Sequence, residues 1–171
     1  MSIGKRLIWL WVIGLAAFIS ISTGCQTIWN NSESRKVLTN YLLFINKQDS
    51  LHIKWEAKHM TVEFKGNVDQ SRLTMKGQIE LSGGGIQDFP VLDRLNVDIY
   101  LTDSDGKVLD RKKFYSALNR LVDDRPSLAF ERSYKLPKGT THIAFGYEGK
   151  VREGKFGLLS TQYPFRHSPF R

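Results

Sequence analysis

Several groups of residues in this chain have the types, and nearly the spacing, that chemistry needs. Gly149-Lys150-Val151-Arg152-Glu153-Gly154-Lys155 reproduces a phosphate-binding loop as far as its lysine. Such a loop then requires Ser or Thr to ligate Mg²⁺ and a helix whose N-terminus meets the phosphates. Phe156 stands in that place and no helical pattern follows, so a hairpin that turns at its glycines accounts for the stretch. Asp103, Asp105 and Gly106 share part of a calcium loop, but Lys112 occupies the place of its closing glutamate. His52, His59, His142 and His167 are far apart, and none belongs to a His-x-x-x-His or His-x-His pair. There is no Gly-x-Ser-x-Gly elbow, and Asp88, Asp93, Asp98, Asp123 and Asp124 read as turn or solvated-face positions. The residues therefore assign no catalytic group, no metal ligand and no cofactor, and the expectation is a protein that is not an enzyme.

Cys25, the sole cysteine, carries the one chemical expectation that stands. It follows Lys5-Arg6, the fifteen mainly apolar residues Leu7 to Ile21, and Ser22-Thr23-Gly24. That order of charge, apolar run and small residues is the form of a secretory signal. With a cysteine at the cut, residues 1–24 resemble a bacterial lipoprotein signal peptide. The resemblance implies that Cys25 is acylated and becomes the first mature residue. The place three before the cysteine, usually aliphatic, is Ser22. The alternative is an uncleaved membrane anchor, Leu7 to Cys25 crossing with a tilt, although about twenty apolar residues are the usual requirement. Both readings hold Lys5 and Arg6 in the cytoplasm and export everything after residue 25. Lipoprotein sorting, with Gln26 rather than Asp after the cysteine, implies the periplasmic face of the outer membrane; an inner-membrane anchor is the alternative.

Without Lys5 and Arg6 the formal charge of +8 becomes +6 over residues 25–171. That length suits one domain with a hydrophobic core of its own. An acylated Cys25 leaves no thiol for a disulfide, a thiolate metal site or a nucleophile, so stability has to come from packing. Exported compartments supply neither ATP nor nucleic acid, which excludes nucleotide and nucleic-acid partners. A basic exported domain is drawn instead to anionic lipid or acidic envelope polymers, at about 1 kcal/mol per basic side chain near a charged surface. Lys54, Lys58, Lys65 and Lys76 are expected on outward strand positions, with Arg111, Lys112, Lys113 and Arg152 extending the basic character.

The elements that would position these groups begin after a polar tether at residues 25–34. Val37, Leu38, Tyr41, Leu42 and Ile45 carry the stripe of a short amphipathic helix, with a strand as the alternative. From Leu51 the period becomes two: Leu51 to Trp55, Met60 to Phe64, Ser71 to Leu81 and Leu95 to Leu101 alternate as strands do. Thr102 to Gly106 should turn a hairpin into Lys107 to Arg111, its Asp-Gly supplying positive φ. Phe114, Ala117, Leu118, Leu121 and Val122 fall at helical spacing up to Arg125-Pro126. Further strands are expected over 127–136, 140–147 and about 155–161.

This pattern predicts a mainly β fold: a single antiparallel β-sandwich of about seven strands with one or two short helices, over residues 35–161. Ile99 to Leu109, a strand ending in Asp103 followed by Asp105-Gly106-Lys107 and another strand, is similar to one hairpin of FxLYD-type envelope lipoprotein domains. Residues 162–171 hold two Pro-Phe-Arg triplets and read as a tail, since Pro cannot serve a central strand. The tail is either a plain terminus or a partner-binding segment anchored by Phe165, Arg166, Phe170 and Arg171. The whole reads as a membrane-anchored, non-enzymatic binding or assembly module of the cell envelope, with an envelope protein or an anionic lipid or polymer as partner. The rival readings are an enzyme acting on envelope glycan or lipid, and a structural spacer on an uncleaved helix.

Overall fold

The computed structural model describes residues 35–45, 50–82, 89–121, 128–153 and 161–170. Residues 1–34, on which the expected signal peptide, Cys25 and the expected tether fall, and Arg171 lie outside them. So does nearly all of the strand expected at 155–161.

Among the described residues alternation becomes nine strands: β1 (Leu43–Phe44), β2 (Leu51–Glu56), β3 (Met60–Asp69), β4 (Arg72–Leu81), β5 (Val91–Thr102), β6 (Val108–Leu121), β7 (Leu128–Lys135), β8 (His142–Arg152) and β9 (Gln162–His167). A four-stranded sheet runs β2-β3-β4-β7, and a five-stranded sheet runs β1-β8-β5-β6 with β9 also on β8. All pairs are antiparallel. The sheets face each other as a sandwich, as the sequence predicts, with two strands more than the expected seven or so.

Inward residues of both sheets make one core. Phe64 and Trp55 meet Phe145 from one sheet at ring centroids of 6.2 and 5.4 Å, and Phe114 links Phe145 to Phe130 at 5.0 and 4.5 Å. The expected hairpin forms with Gly106 at φ 77°, and Asp103 Oδ1 accepts the backbone N–H groups of Asp105 and Lys107 at 3.0 and 2.9 Å. That use of the carboxylate gives Asp103 a role in closing the turn.

Both expected helices are corrected. Residues 114–121 belong to β6, where the register steps from Val97↔Tyr115 to Asp98↔Lys113 and leaves Phe114 as a bulge. The bulge shifts the strand's period by one, so Phe114, Tyr115 and Ala117 are all buried and a spacing of three arises in extended chain. Leu118, which a helical stripe would bury, is 65% exposed. Residues 37–45 form a single 3-10 turn, Thr39–Tyr41, and then β1. Their apolar spacing has two destinations. Val37, Tyr41 and Leu42 cover Tyr100, Val108 and Ala144 on the outside of the five-stranded sheet, while Ile45 enters the main core. No α-helix occurs among the described residues.

The sandwich also extends past residue 161. Gln162–His167 pairs with Arg152–Tyr147 as an edge strand, and an edge is where Pro164 is tolerated. The Glu148-Gly149 turn expected from sequence is absent, because β8 continues through it to Arg152.

Candidate functional site

β9 takes the aromatic residues of the expected tail into the fold. Phe165 is buried over Gly149, with its ring 5.9 Å from Tyr147 and 5.6 Å from His59. Phe170 packs edge-on against Tyr100 at 4.9 Å, beside Pro169, whose carbonyl accepts the Leu38 N–H at 2.9 Å. Neither ring is therefore displayed as an anchor in the manner expected of a tail; of the four residues, Arg166 is the one described as exposed.

Two histidines that the sequence separates by 108 positions meet where β2 and β9 close the sandwich. The Tyr147 hydroxyl lies 3.0 Å from His59 Nδ1, and the His167 ring stacks on Tyr147 at 5.7 Å. Trp55 and Tyr41 meet His167 edge-on at 5.5 and 4.7 Å. Burial pushes the Tyr147 hydroxyl up to about 12, so it stays protonated beside His59, and the imidazole tautomer sets which of the two donates. Burial also lowers both imidazoles, with Lys58 adding to His59 and His59 adding to His167. Among the described residues no three His, Cys, Asp or Glu side chains gather as a metal site. The cluster is two neutral rings in an aromatic seam. His142 lies apart, edge-on to the exposed Phe44 at 5.3 Å.

Polar groups converge elsewhere, on the outer face of the four-stranded sheet. Strand alternation sends His52, Lys54 and Glu56 of β2 to that side, with Glu63 and Lys65 of β3, Lys76, Gln78 and Glu80 of β4, and Ala129 and Glu131 of β7. An open trough of about 600 Å³ crosses it, lined by His52, Glu63, Lys65, Lys76, Gln78 and Glu131 above Gly77, Phe64 and Phe130. His52 Nε2 lies 3.0 Å from Glu63 Oε1, and Lys76 Nζ lies 3.8 Å from Glu131 Oε2. The lysines 54, 65 and 76 stand outward as expected, and Lys58 is exposed in the β2–β3 turn. Lys54 pairs with Glu56 on the same face at 2.5 Å, and on the other sheet Arg111 pairs with Asp98 at 2.6 Å, Lys112 with Asp110 at 2.9 Å and Arg152 with Asp93 at 2.8 Å.

The two outer faces differ in cover. Segments 35–42 and 168–170 lie over Tyr100, Val108 and Ala144 on the five-stranded sheet. No described segment covers the outward positions of the four-stranded sheet, which are exposed or half-buried along their length. Sequence alternation places His52 and Lys54 on one face, but nothing in the sequence signals that residues 63, 76 and 131 share it at one trough. No family model, no curated protein and no solved structure matches this chain.

Proposed function

We propose that the chain is an exported, membrane-anchored binding or assembly module of the cell envelope, without catalytic activity, held by lipidated Cys25 and presenting the outer face of the four-stranded sheet. The observation that carries the binding half is the trough-bearing outer face of that sheet, which no described segment covers. Anchoring is carried by the order of Lys5-Arg6, the apolar run to Ile21 and Cys25. The charges of the trough sit on exposed, solvated strands, which suits reversible contact with a polar partner better than bond-making chemistry.

Two measurements test the halves separately. Metabolic labelling with a radiolabelled fatty acid should mark the wild type and not Cys25→Ser; absence of label in both removes the lipid anchor and leaves the uncleaved segment 7–25. A photo-cross-linking residue at Gln78 should capture a discrete envelope species in cells, while the same residue at Ser116, on the outer face of the other sheet, should not. Equal capture from both positions, or none from Gln78, overturns the assignment of the binding face.

A further inference from the structure

The strand register makes a row across the trough that no single strand reveals. His52 of β2 is opposite Lys65 of β3, Lys65 is opposite Lys76 of β4, and Lys76 is opposite Glu131 of β7. Three basic side chains thus stand on adjacent strands, on one face, at the strand spacing of about 4.8 Å. Directly opposed like charges oppose sheet formation, and here two lysines face each other in the middle of a ten-residue pairing between β3 and β4. Two glutamates share the trough with the two lysines. Glu63 is turned to His52, and Glu131 closes the β7 end of the row at 3.8 Å from a Lys76 side chain that is 80% exposed. The row lines an open trough whose floor is the sheet backbone at Phe64, Gly77 and Phe130, the two rings being turned into the core.

We infer that the row His52–Lys65–Lys76 binds a linear polymer bearing phosphate groups, which crosses the four-stranded sheet perpendicular to its strands. Lysine is a point-charge binder of phosphate, and groups about 5 Å apart along a polymer can each meet one member of the row. Binding relieves the Lys65–Lys76 repulsion that the free sheet carries. This rests on the four-stranded face being the binding face, and it names the chemistry of the partner.

The test titrates the full chain, in micelles of an uncharged maltoside detergent, with short-chain inorganic polyphosphate, and in parallel with monophosphate and with phosphatidylglycerol vesicles. Polyphosphate should bind, and weaken as salt is raised from 50 to 300 mM, which shortens the Debye length to roughly 6 Å. Lys65→Gln/Lys76→Gln should lower its affinity about tenfold or more, the loss expected from two charge-assisted contacts. Lys112→Gln/Lys113→Gln, which removes the same charge from the other sheet, should change it less than about twofold. The trough variant should melt no lower than wild type, since a repulsive pair is removed.

Equal losses from the two double variants would mean diffuse attraction to a basic protein and would overturn the inference. Binding to the vesicles or to monophosphate as strong as to polyphosphate would also overturn it, in favour of a lipid surface or a single phosphate site. If polyphosphate fails to bind while Gln78 still captures its cross-linked species, the phosphate polymer is wrong and the binding face stands. If both fail, both readings fall.

Discussion

Tyr147 makes the seam between β2 and β9 dependent on pH. Its hydroxyl shares a hydrogen bond with His59 Nδ1 at 3.0 Å, and its ring carries the His167 imidazole. Burial holds both histidines below their ordinary 6.5, so in the window beneath that value the unfolded chain binds protons that the fold refuses. Stability is then full above about pH 6.5 and is lost as the pH falls through the depressed folded values. Thermal melts should therefore drop more steeply from pH 7 to 5 in the wild type than in His59→Gln/His167→Gln. Parallel acid limbs would show that the pair does not couple protons to folding. The separation of these residues in sequence hides the cluster, because neither histidine has a partner at any local spacing. The exposed face is more legible: period-two alternation puts lysines 54, 65 and 76 outward from sequence alone.

At the scale of elements, β9 is the strand that the sequence least supports. Pro164 argues against a strand, and the edge position removes the objection because one side of β9 needs no ladder bond. What seats β9 is a size match across the pair Gly149↔Phe165. A Cβ at residue 149 would come within 2.3 Å of Phe165 Cζ, and a phenyl ring cannot flex away as a lysine end can. Gly149→Ala should cost about 1–3 kcal/mol through overpacking. Hydrogen exchange should show the β9 amides losing protection before those of β3 and β4. Unchanged protection of β9 with full stability would mean that the ring moves aside without cost. The same reasoning explains the misread helix at 114–122, where a single bulge residue converts a period of two into a spacing of three. The other seam is closed by polar contacts, Arg132 Nε and the Tyr134 hydroxyl donating to the carbonyls of Phe114 and Lys113 beside that bulge.

For the molecule as a whole, the two segments that flank the sandwich matter together. Residues 35–42 and 168–170 share a small apolar cluster with Tyr100, Val108 and Ala144, outside the main core. Leu38 donates to Pro169, and Val37 donates to Gly106 at 2.8 Å, so the cluster ties the start of the described chain to its last residues. Phe170→Ala should cost about 2 kcal/mol, roughly half the loss for a fully buried phenylalanine. It should also expose the amides of Val37 and Leu38 to exchange while the sheets stay protected. If those two amides keep their protection, residues 35–42 hold the face unaided. Among the described residues this cover is also what makes the outer faces unequal, since none of them lies over the four-stranded sheet.

By itself the sequence determined the fold class, the strands at 51–55, 60–64, 71–81 and 95–101, the β5–β6 hairpin and the outward side of β2, β3 and β4. All of these depend on neighbours within a few residues, through side-chain alternation and the positive φ of an Asp-Gly turn. Tertiary structure decided everything that requires register between distant strands. The row of residues 52, 65 and 76 exists because a three-residue turn at Ala57–His59 and a two-residue turn at Gln70-Ser71, with Gln70 at φ 53°, fix which residues oppose each other, and Glu131 joins it through the pairing of β4 with the distant β7. The His59–Tyr147–His167 seam and the placing of Phe165 under cover likewise arise only when β9 returns to β8. Side-chain period is a local property, whereas the partner across a strand is set by loop lengths and by competition for a common core.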